Sequence, residues 1–295
     1  MESLRDIRTR IGSVQKTMKI TNAMQLMASS KLKKARRILE ETEPYFLTLQ
    51  HAITRIITHT DLANERFFAT DRDIPPDEVR HCYVIITSDR GLAGAYNHNV
   101  CRLAEKQMRK HPNDLVICIG QFGKNYFSRP RDFSYALDEA YCTHAGEPSL
   151  WEARELGNHL VELFLAGELD AVHVVYTHMV NALTMEARMI ELLPLHEHMF
   201  SDSDPEDGHI YTESFDPSPS AVLQKIIPNY VKGILYGTMV EAYASEQHAR
   251  MTAMDSATKN AKEIVDQLSL EYNRIRQATI TTEITEVVSG AAAQE

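Results

Sequence analysis

The sequence has no Cys-x-x-Cys pair; its four cysteines, Cys82, Cys101, Cys118 and Cys142, are spread widely through the middle of the chain. That spacing indicates neither a zinc site nor a redox motif, so the thiols are expected to be small buried hydrophobes in a reducing cytoplasm. No apolar run is long enough to span a bilayer. Charged Arg5, Asp6, Arg8 and Arg10 interrupt the stretch where a secretory apolar core would lie, and a soluble chain is expected. Neither Gly-x-Ser-x-Gly nor His-Glu-x-x-His occurs. Ser88 to Gly94, "SDRGLAG", lacks the Gly-x-Gly-x-x-Gly and Walker A spacings, and "GQFGK" at Gly120 to Lys124 is followed by Asn125 where Ser or Thr would hold magnesium. Its glycines are expected to serve a tight turn. His196 and His198 flank Glu197 without a third ligand at a convincing spacing, so a solvated loop is expected there. These absences leave no catalytic residue, no cofactor and no metal to expect.

What the chain has is helical periodicity at both ends, roughly Ser3 to Ile57 and Ser218 to Val288. The first stretch spaces Leu4, Ile7, Ile11, Val14, Met18, Thr21, Gln25, Ala28, Leu32, Ala35, Leu39, Thr42, Phe46, Leu49, Ile53 and Ile56 by threes and fours. Such an a/d seam over about seven heptads is what a coiled coil requires. The second repeats it through Met251, Met254, Thr258, Ala261, Val265, Leu268, Tyr272 and Ile275, with weaker matches at Val240 and Ala244. Ser3 with Asp6 forms a capping-box pattern, and Pro219 suits the first helical position after Ser218. Pro44 and Pro228 predict a bend or interruption in each helix, and Gly233 and Gly237 weaken the start of the second.

Between the helices, short β-branched runs alternate with helical segments. Val84 to Ser88, Leu115 to Ile119 and Ala171 to Tyr176 read as buried parallel strands, and Thr184 to Leu193 adds another strand of unassigned direction. Val100 to Lys110 and Leu150 to Leu165 read as crossover helices. The fold class is therefore α/β: an antiparallel coiled coil of the N- and C-terminal helices with an inserted Rossmann-like α/β domain. The expected segments are 1–60 for the first helix, 78–195 for the α/β domain, 196–217 for an acidic linker around Asp202 to Asp207, and 218–295 for the second helix.

The net charge of -10 hides an asymmetry. Residues 1–42 hold ten Lys/Arg against four Asp/Glu, a local +6, which leaves 21 basic and 37 acidic residues elsewhere, or -16. The first helix is thus a basic rod on an acidic protein, suited to an acidic surface. At 1.5 Å per residue the first helix would span about 80 Å and the second about 100 Å, so the C-terminal end should overhang its partner by roughly 20 Å. From Ala278 onward the chain is mostly small residues, a smooth end with Arg274 and Arg276 just behind it.

Three blocks, "RDIRTRIGSVQKTMKITNAMQLMASSKLKKA", "SDRGLAGAYN" and "ASEQHARMTAMDSATKN" with "EYNRIRQATITTEITEVVSGAAA", closely resemble the gamma subunit family of F-type ATP synthases, in matching order. Ala93 and Ala95 depart from the Cys and Gly often found there. The resemblance implies a non-catalytic rotor of the central stalk, carrying torque between the c-ring and the catalytic alpha/beta ring. Implied partners are the alpha, beta and epsilon subunits and the c-ring, with peripheral attachment at the cytoplasmic face of a bacterial-type inner membrane and no nucleic acid. It also implies beta-subunit contacts at Met24, Lys16, Lys19 and Lys31 on the first helix and at Arg250, Arg276, Gln277 and Thr281 on the second. The alternative is a basic coiled-coil scaffold, or a nucleic-acid binder using Lys31 to Arg37, "KLKKARR", as a phosphate stripe.

Overall fold

The computed structural model describes residues 3–57, 66–68, 75, 78–111, 114–181, 184–197, 199–200 and 215–292. Of the expected linker at 196–217, residues 198 and 201–214 lie outside them, His198 and Asp202 to Asp207 included. The elements in chain order are α1 (Leu4–Ile57), β1 (His81–Ile86), α2 (Tyr96–Met108), β2 (Asp114–Ile119), α3 (Gln121–Phe127), β3 (Tyr135–Leu137), α4 (Leu150–Ala166), β4 (Ala171–Met179), β5 (Met185–Leu193) and α5 (Pro219–Ala292). They form two compact units, one of Met1–Ser30 with Arg250–Glu295 and one of Lys31–Ala249.

In the first unit α1 begins with a reciprocal cap. The Asp6 backbone N–H donates to Ser3 Oγ at 3.2 Å, and the Ser3 N–H donates to Asp6 Oδ2 at 3.3 Å. The two helices meet where the Thr21 and Thr258 hydroxyls lie 2.7 Å apart and Gln25 Nε2 donates to Asp255 Oδ1 at 3.1 Å. Numbers rise on α1 while they fall on α5, so the helices run in opposite directions here. Every expected seam position, in both units, is buried or half-buried.

The second unit is built on a five-stranded sheet in the order β3-β2-β1-β4-β5. β1 to β4 are mutually parallel, and β5 is antiparallel to β4. Strands β1, β2 and β4 are buried along nearly their whole length, as strands covered on both faces must be, whereas β5 alternates at the edge. Tyr83, Ile85, Val116, Cys118 and Val175 share one face and pack in a single core cluster with Val100, Cys101, Ala104 and Met108 of α2. On the other face, Tyr176 and Ile86 line cavities together with α5 residues. Helix α4 is fixed by the Ser149 hydroxyl, which accepts from the Glu152 N–H at 3.2 Å, and by Gly167 in the left-handed region at its end.

Neither proline interrupts its helix: α1 runs through Pro44 and α5 through Pro228. The missing N–H groups release the carbonyls of Glu40 and Gln224, and both residues are exposed, where solvent can supply the lost donor. Gly233 also has a packing reason. A Cβ there would lie 2.1 Å from Phe46 Cε1, so glycine lets the ring of α1 rest on the α5 backbone. Gly233→Ala should cost about 2 kcal/mol by overpacking. Denaturant unfolding would check it, and Phe46→Leu should restore part of the loss in the double variant but not in the wild type.

Candidate partner-contact surface

A doubly wound domain that bound a nucleotide would hold it at a strand-to-helix loop, and here these loops are closed by their own polar groups. After β1 the chain turns with Leu92 at φ 65° and Gly94 at φ 58°. The Ser88 N–H donates to Asn97 Oδ1 at 2.8 Å, Asn97 Nδ2 donates to Ser88 Oγ at 2.8 Å, and the Ser88 hydroxyl donates to the Arg90 carbonyl at 2.6 Å. Asp89 Oδ1 accepts from the Gln121 N–H at the start of α3 and from the Ala145 N–H, both at 2.9 Å. A phosphate entering there would meet a carboxylate already holding the amides it needs. The cavity beside this loop, lined by Ile86, Thr87, Tyr96, Ile119 and Glu246, has about 20 Å³, room for about one water molecule. Tyr96 Oη closes one side of the loop by donating to the Ala242 carbonyl at 3.0 Å. Among the described residues no group of three or more His, Cys, Asp or Glu is arranged to hold a metal. His196 instead pairs with Glu191, Nε2 to Oε2 at 2.6 Å.

The remaining candidate surface lies on the helices. Lys16 and Lys19 are exposed on α1, and Met24 beside them is half-buried. Lys31 is exposed as well. Its neighbours are engaged within the second unit: Lys34 pairs with Glu147, Arg37 with Glu41 at 3.4 Å, and Arg36 Nη2 lies 3.7 Å from Met179 Sδ, while Leu32 and Ala35 are buried. With three of its five cations, Lys34, Arg36 and Arg37, already engaged with carboxylates and a thioether, the run is a poorer phosphate stripe than its composition suggests.

On α5, Arg276, Gln277 and Thr281 are exposed and Arg250 is half-buried. Gln277 and Thr281 share one face, joined by a bond from the Thr281 hydroxyl to the Gln277 carbonyl at 2.9 Å. Arg250 stands apart, about 39 Å back along the helix at 1.5 Å per residue. Met24 is level with the Gln25–Asp255 contact, so the candidates form two separate patches and not one site. Extending the Thr21–Thr258 and Gln25–Asp255 register at equal rise brings Leu4 level with residue 275 or 276. Burial on α5 stops there, and residues 276–289 are all exposed.

That end has a definite surface chemistry. The hydroxyls of Thr279, Thr281, Thr282 and Thr285 each donate to the carbonyl four residues back, at 2.8–3.0 Å. With the hydroxyls turned onto the backbone, methyl groups face outward beside Ile280, Ile284, Val287 and Val288. Sequence reasoning expected an overhanging end of Thr, Ala, Val, Ile, Ser and Gly here without naming these isoleucines and valines one by one, and it missed exposed Ile20, Leu26 and Met27 on α1. Their signal was an apolar residue off the seam of a paired helix.

One unit with an oppositely running helix pair and a second built on a parallel-rich sheet place the chain in a class of α/β proteins that carry long paired terminal helices. A sequence profile of the ATP synthase family, described as "ATP synthase", matches residues 3–294. The chain is 40% identical over 301 residues to the ATP synthase gamma chain of Ruminiclostridium cellulolyticum, covering 99% of each. It is 39% identical over 306 residues to the "ATP synthase gamma chain, sodium ion specific" of Acetobacterium woodii, again covering 99% of each. The chain therefore belongs to the ATP synthase gamma-chain family, and the nucleic-acid-binding or scaffold alternative finds no support among these relatives. Its fold is similar to a chain of the Euglena gracilis mitochondrial ATP synthase, with TM-score 0.61 and 16% identity over 99% of this chain and 94% of that one. A chain of the Tetrahymena thermophila central stalk and c-ring structure gives TM-score 0.59 and 20% identity, over 81% and 99%.

Proposed function

We propose that this chain is the central-stalk rotor of an F-type ATP synthase, a subunit that catalyses nothing itself and carries torque between an ion-driven c-ring and a catalytic ring of alpha and beta subunits. The observation that carries the reading is the end of α5, fully exposed from Arg276 to Ser289 and methyl-lined by its back-bonded threonines. A helix of that length presenting apolar surface to water calls for an enclosing partner. Methyl groups and short side chains offer a sleeve little to interlock with, so rotation meets low barriers.

The physical basis of coupling is asymmetry. An antiparallel coiled coil of α1 and α5 has no three-fold symmetry, so three equivalent catalytic sites would each face a different side of it. Each side has its own interaction free energy with open and closed sites, and turning the pair shifts their populations in sequence. In this reading Lys16, Lys19, Met24 and Lys31 meet an acidic lever of beta, a role supported by the local +6 charge of residues 1–42. Arg276 and Gln277, with Thr281 beside them and Arg250 lower on the same helix, contact a second beta loop. The α/β domain binds epsilon and the c-ring, at the cytoplasmic face of a bacterial inner membrane. No helix among the described residues is long and apolar enough to cross that membrane, so attachment runs through the complex.

Affinity purification of a tagged copy from its native membranes tests the assignment. Co-recovery of alpha, beta, epsilon and c subunits is expected; recovery of the chain without any of them would overturn it. Ending the chain after Arg274 should lower ion-driven ATP synthesis in membrane vesicles several-fold, with the α/β domain still folded by limited proteolysis. Undiminished synthesis would remove Arg276, Gln277 and Thr281 from the contact surface.

A further inference from the structure

We propose that Cys118 and Cys142 form an oxidisable dithiol in the α/β domain, in which Cys142 attacks a peroxide and Cys118 then closes a disulfide with it. The pairing is built by the backbone. Thr143 bridges Ile119 in parallel, with the Gly120 N–H donating to the Thr143 carbonyl at 2.8 Å and the Thr143 N–H donating to the Cys118 carbonyl at 3.2 Å. One residue back, Cys142 therefore lies beside Cys118, and the Cys118 N–H reaches Cys142 Sγ at 3.3 Å. Adjacent parallel segments are about 4.8 Å apart, inside the Cα separation of roughly 4.4–6.8 Å that a disulfide spans.

The two thiols differ in the way such a reaction requires. Cys142 is only half-buried, correcting the expectation that all four cysteines are buried, whereas Cys118 has no exposure. The Cys118 thiol donating to it, helped by the Cys118 N–H and the Lys124 ammonium and opposed by burial and Asp138, brings the Cys142 thiol down to about 7. The partner moves the other way: its role as donor to Cys142, and then its burial, hold Cys118 well above the usual thiol range. Burial lifts Cys82 and Cys101 as well, the latter to about 12, which makes both internal controls. Cys142, whose Sγ also donates to the Asp138 carbonyl at 3.2 Å, is thus the more accessible and more acidic thiol, and Cys118 the resolving one.

The step balances. The Cys142 thiolate takes one peroxide oxygen as the O–O bond breaks, giving a sulfenic acid, and the departing hydroxide leaves as water with the proton that Cys142 released. Cys118 sulfur attacks the sulfenyl sulfur, the S–S bond forms, the S–O bond breaks, and hydroxide departs with the Cys118 proton as a second water. Two thiols and one hydrogen peroxide become one disulfide and two waters. The bond would tie the segment after β3 to the end of β2, next to the Gln121 amide that Asp89 holds.

The test treats the purified full-length chain, and separately its assembled complex, with stoichiometric hydrogen peroxide, then alkylates and maps peptides by mass spectrometry. Expected is a Cys118–Cys142 cross-linked peptide with the loss of two hydrogens, Cys82 and Cys101 staying reduced. Cys118→Ser should instead leave a dimedone-reactive sulfenic acid on Cys142, and Cys142→Ser should abolish both products. In the untreated folded protein Cys142 should alkylate at least about ten-fold faster than Cys101. Equal alkylation rates, or a sulfinic acid on wild-type Cys142 in place of the disulfide, would overturn the proposal without touching the rotor assignment.

Discussion

Replacing Gly120 by valine is expected to remove about 4 kcal/mol of stability, most of the margin of a domain at the low end of the ordinary range of about 5–15 kcal/mol. Gly120 joins β2 to α3 with φ 101° and ψ 136°, a conformation that costs a residue with a side chain about 1–3 kcal/mol. Its missing Cβ would stand 2.5 Å from the Thr87 carbonyl oxygen and 2.7 Å from the Thr87 carbonyl carbon, which are backbone atoms of the neighbouring loop and cannot rotate away. Overpacking of that kind adds roughly another 1–3 kcal/mol. The loop offers a graded control. Gly94→Ala meets only the left-handed penalty, φ 58° in open space, and should lose about 1 kcal/mol. Gly91→Ala meets neither penalty and should change stability little. Thermal unfolding and soluble yield of the three variants should rank Gly120 far below Gly94, and Gly94 below Gly91. Equal losses at all three would mean that the junction is not shaped around Thr87.

The long elements were legible because their periods repeat many times. The seam positions of both helices, the three parallel strands and the fourth strand at Thr184 to Leu193 all follow from spacing alone, and the parallel strands read as unbroken apolar runs because both faces are covered. Helix α3 and strand β3, with seven and three residues, are too short to show any period, and "GQFGK" was read only as a failed phosphate loop. Gly233 counted against a helix because propensity is local, while the Phe46 ring that explains it sits on another element. Of the candidate contact residues, the charged ones were visible through composition and resemblance. The overhang that bares Ile284, Val287 and Val288 followed from the unequal helix lengths, but exposed Ile20, Leu26 and Met27 on α1 did not, since apolar residues off the seam show no period of their own.

Register also assembles a group that no motif announces. Asp114 opens β2 and His81 opens β1; His173 lies on β4 opposite Tyr83, with its Nε2 3.0 Å from His81 Nδ1, and the His111 ring is 4.3 Å from His81. Neither Asp114 carboxylate oxygen has a hydrogen-bond partner, and burial raises this carboxyl to about 7. Burial lowers His81 and His173 to about 4, with His111 adding repulsion to His81 and both His81 and His111 adding it to His173. The folded chain therefore binds the Asp114 proton more tightly than the unfolded chain, so that contribution is whole below about pH 4 and is lost as pH rises through 7. The histidines act in the opposite sense: their contribution is whole above about pH 6.5 and is lost as pH falls towards 4. Two histidines outweigh one carboxyl by a net one proton between those limits, so stability should peak near pH 6.5 and fall further on the acid side, where the window is wider. Asp114→Asn abolishes the alkaline loss alone. A shift of this size corresponds to about 4 kcal/mol, which solvent screening near the strand end reduces to roughly 2 kcal/mol, so the variant should gain that much over wild type at pH 8 and little at pH 4. Denaturant unfolding at pH 4, 6 and 8 reads the difference directly. A gain that is the same at all three values would mean that Asp114 keeps its charge in the folded chain and that the variant acts through packing.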